Sequence, residues 1–95
     1  MVTALKIVHR PELQRFEADL GNGELAMCVY RREGDRVLFT HTEVPPRFEG
    51  QGIAAQVVSA ALDWVRGEGL QAVPLCSYVA SYLRRHPEPP AARPR

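Results

Sequence analysis

Apolar positions recur with period two through the first half of this chain and with helical spacing from residue 53 onward. Residues Leu5–His9 alternate weakly and read as a first strand. In Arg15–Leu20, Phe16, Ala18 and Leu20 share one face while Glu17 and Asp19 take the other, the alternation of a half-buried strand. Gly21-Asn22-Gly23 follows as a turn, because glycine and asparagine tolerate positive φ. Leu25–Arg32 is the next strand, Glu33-Gly34-Asp35 the next turn, and Arg36–Val44 the last member of an antiparallel meander. Pro45-Pro46 ends it, since proline cannot donate to a ladder.

The period then changes. Between Gly52 and Arg66, Ile53, Val57, Ala61, Trp64 and Val65 fall on one helical stripe, with Gln56, Ser59, Asp63 and Arg66 interleaved. Trp64 belongs to that stripe and is assigned to the core. Gly67 and Gly69 stop the helix. Leu70–Leu75 is a short apolar strand, expected to return parallel to the strand before the helix. Ser77–His86 reads as a second helix with Tyr78, Val79, Tyr82 and Leu83 available for one face. The order is β-β-β-β-α-β-α without internal repeat. Residues 1–88 form one domain, and residues 89–95 belong to a disordered Pro/Arg tail.

Composition narrows the classes. Ninety-five residues allow one core, and 45% apolar with 24% charged residues is ordinary for a globular domain. A net charge of +1 argues against a general nucleic-acid binder. Lys6 is the only lysine against eleven arginines, a bias expected of a high-G+C bacterial genome. No apolar run approaches the roughly 20 residues that span a bilayer, and the N-terminus does not read as a signal peptide. Cys28 and Cys76 are too few and too isolated for a disulfide framework or a zinc site, so both are expected as reduced thiols in the cytoplasm. Neither a metal, a nucleic acid nor a membrane is expected as a partner. The chain is read as a monomer or weak homodimer.

The chemistry concentrates at Arg47-Phe48-Glu49-Gly50-Gln51-Gly52, between a strand and a helix. Two glycines there let a ligand approach the backbone, and the helix start offers unpaired N–H groups and a partial positive charge. A phosphate or pyrophosphate suits such a place. Gly50 to Ala55 also fits the dinucleotide fingerprint G-x-G-x-x-A. That reading needs a first strand before the turn and an acidic residue about 20 positions on. Here a meander precedes the motif, and Leu70–Leu75 holds no acid, so the NAD reading fails on context.

The pattern R-x-x-G-x-G/A, carried by Arg47, Gly50 and Gly52, resembles the coenzyme A pyrophosphate loop of the GNAT (general-control-type N-acetyltransferase) superfamily. The strings His41–Ala54, Val73–Cys76 and Tyr82–Glu88 resemble those of its small, single-domain branch, over roughly residues 14–88. The resemblance implies an α/β fold: a minimal GNAT-like arrangement with a mixed, mostly antiparallel sheet of about five strands and two helices. It implies acetyl-CoA as co-substrate and a small-molecule or protein amine as acceptor. Main-chain atoms of Glu43 and Val44 would pair with the pantetheine arm. The N–H groups of Glu49, Gly50, Gln51, Gly52, Ile53 and Ala54 would receive the pyrophosphate, with Arg47 on a phosphate oxygen. Arg84 and Arg85, with His86, would meet the 3′-phosphate, or else form a solvated face. The chain lacks the helical insertion and the C-terminal strand pair that shape the acceptor pocket in longer members.

Four side chains are candidates for catalysis. Cys76 stands after a strand and at a helix start, where the dipole favours thiolate, so it is either a nucleophile for the acetyl group or a packing residue. His41 and Glu43 share one face of a strand, and either could deprotonate an ammonium, or be structural or solvated. The resemblance gives Tyr82 the role of protonating the leaving thiolate, against that of a core anchor. Cys28, inside a strand, is assigned to packing. Two functions stand: an acetyl-CoA-dependent N-acetyltransferase, and a coenzyme A-binding sensor or partner-binding module without turnover.

Overall fold

The computed structural model describes residues 5–87. The chain forms β1 (Ile7–Arg10), β2 (Arg15–Gly21), β3 (Glu24–Glu33), β4 (Arg36–Glu43), α1 (Ile53–Gly67), β5 (Gln71–Pro74) and α2 (Ser77–Arg85). The five strands make one sheet in chain order. The first four pair antiparallel, and β5 returns parallel to β4 from Arg36↔Gln71 to Phe39↔Pro74. Order, strand directions and helix count are those expected from the pattern. The proposed tail from residue 89 onward lies outside the described residues.

The ends of the elements moved for local reasons. β1 runs through Arg10 because that residue pairs with Arg15 across a 3-10 turn at Pro11–Leu13. β5 loses both ends of the apolar run: the Leu70 N–H turns back to the Val65 carbonyl at 2.9 Å, and the Leu75 N–H closes on Val73 at 3.1 Å.

Helix α1 buries Ile53, Val57, Val58, Ala61, Leu62 and Val65, a stripe of helical spacing. Each full burial of a large aliphatic side chain contributes roughly 1.5–3 kcal/mol. The stripe packs on Phe16, Ala18, Ala26, Cys28, Tyr30, Val37 and Phe39 of the sheet, and Val79 of α2 joins the same cluster. Both helices therefore bury their apolar residues against one face of the sheet.

On the opposite face Glu17 is buried rather than solvated, only 8% exposed. Its carboxylate accepts from Arg10 Nε at 3.0 Å and Arg15 Nε at 2.9 Å, which is how a charge is tolerated there. Burial pushes its pKa upward, and the two guanidinium groups outweigh that and hold it below the ordinary carboxylate value.

Candidate functional site

A β-bulge decides which side chains of β4 meet the helices. Tyr30 pairs with Phe39 but Val29 pairs with His41, so Thr40 is an extra residue opposite no partner of its own. Before the bulge, Val37 and Phe39 face the core; after it the parity switches, and Thr42, paired with the buried Cys28, takes that face. Val44 follows it, packing against the cluster. His41 and Glu43 are turned to the opposite face, each 58% exposed at the side chain, and hydrogen-bond to each other at 3.2 Å. The shared face expected of this pair is present, but it is not the face of the pocket.

Strands β4 and β5 part company at the same level. Their ladder ends at Phe39↔Pro74, where the Cys76 N–H closes on the Phe39 carbonyl at 2.7 Å. β4 continues to Glu43 while the chain turns into α2, so Thr40–Glu43 have no β5 neighbour among the described residues.

An open pocket of about 380 Å³ lies over this region, lined by Thr42, Val44, Phe48, Glu49, Gly50, Gly52, Ile53, Ala54 and Tyr78. Six of the expected ligand-loop residues are therefore on its wall: Val44, Glu49, Gly50, Gly52, Ile53 and Ala54. Gly50 has φ +84 and Gly52 φ +78, and a Cβ on either would meet nothing within 4 Å. These are backbone surfaces kept open by the absence of a side chain. Gly52 is also the N-cap of α1, where no side chain caps the helix and the first turn holds no acidic residue. An anionic pyrophosphate fits this cradle on both counts.

Other candidates stand elsewhere. Gln51 is exposed between the glycines and is not on the pocket wall. Both Arg47 Nε, at 3.0 Å, and Nη2, at 2.6 Å, donate to Glu24 Oε1, and the guanidinium lies 5.1 Å from the Phe48 ring centroid. Arg47 thus buttresses a pocket wall. Tyr82 stacks on His86 with centroids 4.3 Å apart, and Tyr78, one turn earlier, lines the pocket instead. Arg84 and Arg85 are exposed in the last turn of α2, where Arg85 donates to Ser81 at 2.9 Å; neither lines the pocket.

Cys76 is the N-cap of α2 and only partly buried. Its sulfur is 3.4 Å from Thr42 Oγ1, which connects it to the pocket wall. Burial pushes the thiol pKa upward, but the Thr42 hydroxyl and the N–H groups of Val79, Tyr78 and Thr42 outweigh it, so the pKa is lowered. Cys28 behaves oppositely: burial pushes its thiol up to about 12, and it stays neutral.

Of the lining residues, Thr42 and Tyr78 were not singled out from the sequence as part of the site, and Phe48 entered only within the Arg47–Gly52 string, with no role of its own. Tyr78 had a signal in its spacing, two residues after Cys76 on the same helix.

The profile of the GCN5-related N-acetyl-transferases matches residues 15–92. The chain belongs to this family. The chain is also similar to curated proteins of comparable length. Protein NATD1 of Mus musculus is 34% identical over 87 residues, covering 90% of this chain and 79% of that protein. NATD1 of Xenopus tropicalis is 33% identical over 89 residues, covering 92% and 82%. A solution structure of a GCN5-like protein from Staphylococcus aureus superposes with a TM-score of 0.68 at 24% identity, covering 90% of this chain and 83% of that one. It supports the GNAT fold alone. No helix among the described residues is long and apolar enough to cross a membrane, and no described His, Cys, Asp and Glu group together as a metal site.

Proposed function

We propose that this protein is an acetyl-CoA-dependent N-acetyltransferase that passes the acetyl group through Cys76 to an amine. One observation carries the reading. The uncapped start of α1, with Gly50 and Gly52 on the pocket wall, shares its pocket with Thr42, whose hydroxyl lies 3.4 Å from the Cys76 sulfur. The pyrophosphate sits on the loop N–H groups and the pantetheine arm runs along the unpaired edge of β4. The thioester then ends beside Cys76.

The Cys76 thiolate attacks the thioester carbonyl carbon. Its bond to the acetyl carbon forms as the bond from that carbon to the coenzyme A sulfur breaks. The departing thiolate takes a proton from the Tyr78 phenol, which lines the pocket where Tyr82 does not. The amine approaches from the opposite face of the sheet, through the gap where β4 has left β5. There the His41–Glu43 pair accepts the proton an ammonium must lose before it can attack. The neutral amine attacks acetyl-Cys76; the new C–N bond forms as the C–S bond breaks, the amine's second proton restores the Tyr78 phenol, and the Cys76 thiolate returns. Holding the reacting groups in place supplies most of the gain in such a site.

Calorimetry with acetyl-CoA and, separately, NAD tests the pocket, and intact mass after incubation with acetyl-CoA tests the intermediate. Micromolar acetyl-CoA binding, none for NAD and a single acetyl adduct lost in Cys76→Ala are the expected results. Cys76→Ala is expected to bind acetyl-CoA within about twofold of wild type. Binding with neither an adduct nor thiol release in the presence of amines would leave a coenzyme A-binding module without turnover.

A further inference from the structure

We infer that Thr42 is the positioning residue of Cys76: its side-chain hydroxyl, turned to the pocket wall by the β4 bulge, fixes the sulfur and directs its O–H at it. This rests on the reading of Cys76 as the acyl-accepting thiol. A threonine hydroxyl carries one proton to donate and two lone pairs to accept with. Two sulfurs face that hydroxyl. Cys28 is its cross-strand partner and Cys76 lies 3.4 Å away across the gap between β4 and α2. Cys28 is fully buried among Phe16, Ala26, Tyr30 and other core side chains, so it remains a neutral S–H at physiological pH and needs no donor. Cys76 is the sulfur that can ionise, at the N-cap of α2. The single hydroxyl proton therefore goes to Cys76. Of its partner N–H groups, those of Tyr78 and Val79 belong to α2 itself and move with it, while that of Thr42 is main chain and is kept in every variant at this position. Thr42 is the contact that ties the sulfur to the sheet and to the pocket.

The bulge is what makes this possible. Without the extra residue Thr40, strict alternation would turn Thr42 to the face that now holds His41 and Glu43, and a neighbouring side chain would replace it opposite Cys28. Valine at position 42 would fill nearly the same volume with no proton to give; serine would keep the proton and lose the methyl.

The test is the pH profile of Cys76 alkylation by iodoacetamide in the intact chain, followed by intact mass and peptide mapping, with no acetyl-CoA present. In Thr42→Val the midpoint is expected to move up by about one pH unit, so the rate near neutrality falls roughly tenfold while the rates converge at high pH. Thr42→Ser is expected to return the profile to within about twofold of wild type. An unchanged profile in a Thr42→Val protein of native melting behaviour would overturn the inference. If Thr42→Val does not fold, Thr42→Ala against Thr42→Ser reads the same difference, since those two differ only in the hydroxyl, and equal profiles there would overturn it as well. Because alkylation needs no acetyl-CoA, a wild-type protein that is never acetylated would undo the reading of Cys76 and leave the thiol result standing. Normal acetylation with an unmoved profile would undo the role of Thr42 alone.

Discussion

Gly52 carries three demands at one position: φ of +78, the N-cap of α1, and a backbone surface on the pocket wall. A Cβ there would meet no protein atom within 4 Å and would project into the open space beside the pocket wall. In Gly52→Val the left-handed backbone is strained by roughly 1–2 kcal/mol, and two methyl groups enter the cradle. Acetyl-CoA affinity by calorimetry is expected to fall by more than tenfold. Unchanged affinity would remove the pyrophosphate from this loop. Glu17 makes the complementary case on the far face of the sheet, where a buried carboxylate depends on two arginines. Replacing it by glutamine leaves those guanidinium groups without their charged acceptor, for an expected loss of about 1–2 kcal/mol in urea unfolding at neutral pH. Its folded pKa lies below the unfolded value, so its contribution is present above about pH 4.5 and is lost as pH falls through the folded value. The gap in stability between wild type and Glu17→Gln should therefore close as the pH is lowered below that range. A gap of constant size would mean that packing, not charge, accounts for it.

At the scale of elements, the sequence was most legible where one period ran unbroken. The alternation of Phe16, Ala18 and Leu20, the stripe from Ile53 to Val65 and the glycines between β4 and α1 led directly to a meander, a helix and a pocket wall. It was least legible in Thr40-His41-Thr42-Glu43. All four residues are polar, so no hydrophobic pattern reveals a one-residue slip, yet the bulge at Thr40 decides that Thr42 rather than His41 meets Cys76. Arg47 was opaque for another reason: its partner Glu24 is 23 residues away, and only the sheet brings them together. Edge strand β1 shows the same long-range dependence. His9 stacks on Phe16 at 4.1 Å, lies 4.6 Å from Trp64 and shares a 2.6 Å hydrogen bond with the Tyr30 hydroxyl. Burial lowers its pKa, and the neighbouring Glu12 only partly opposes that. Because the folded value lies below 6.5, the unfolded chain binds the proton first as pH falls. The stability that neutral His9 contributes is present above that value and is lost on acidification toward the folded pKa. Wild-type urea midpoints should fall between pH 7 and pH 5, and His9→Phe should flatten that slope whatever its stability at pH 7. An equal slope in both proteins would place the titration elsewhere.

Across the whole molecule, the pocket and this aromatic cluster sit toward opposite ends of one helix. Ile53 lines the pocket and Trp64 the cluster, about 16 Å apart along the axis at 1.5 Å per residue. Between them runs a single hydrophobic cluster that includes residues of α1, α2 and the sheet. A domain of this size with one core is expected to unfold as one unit, so a ligand held at the pocket stabilises every element, β1 included. At about 100 times its dissociation constant acetyl-CoA would add about 2.7 kcal/mol, which for such a domain raises the melting temperature by roughly 10–20 °C. NAD at the same concentration should leave it unmoved. The loss of stability between pH 7 and pH 5 should remain the same size with and without saturating acetyl-CoA, because the proton and the ligand act at separate ends of the same cooperative unit. Gly52→Val should retain that acid slope and lose the ligand shift. If acetyl-CoA raised the melting temperature of Gly52→Val as far as that of wild type, the bound molecule would be resting on some surface other than the start of α1.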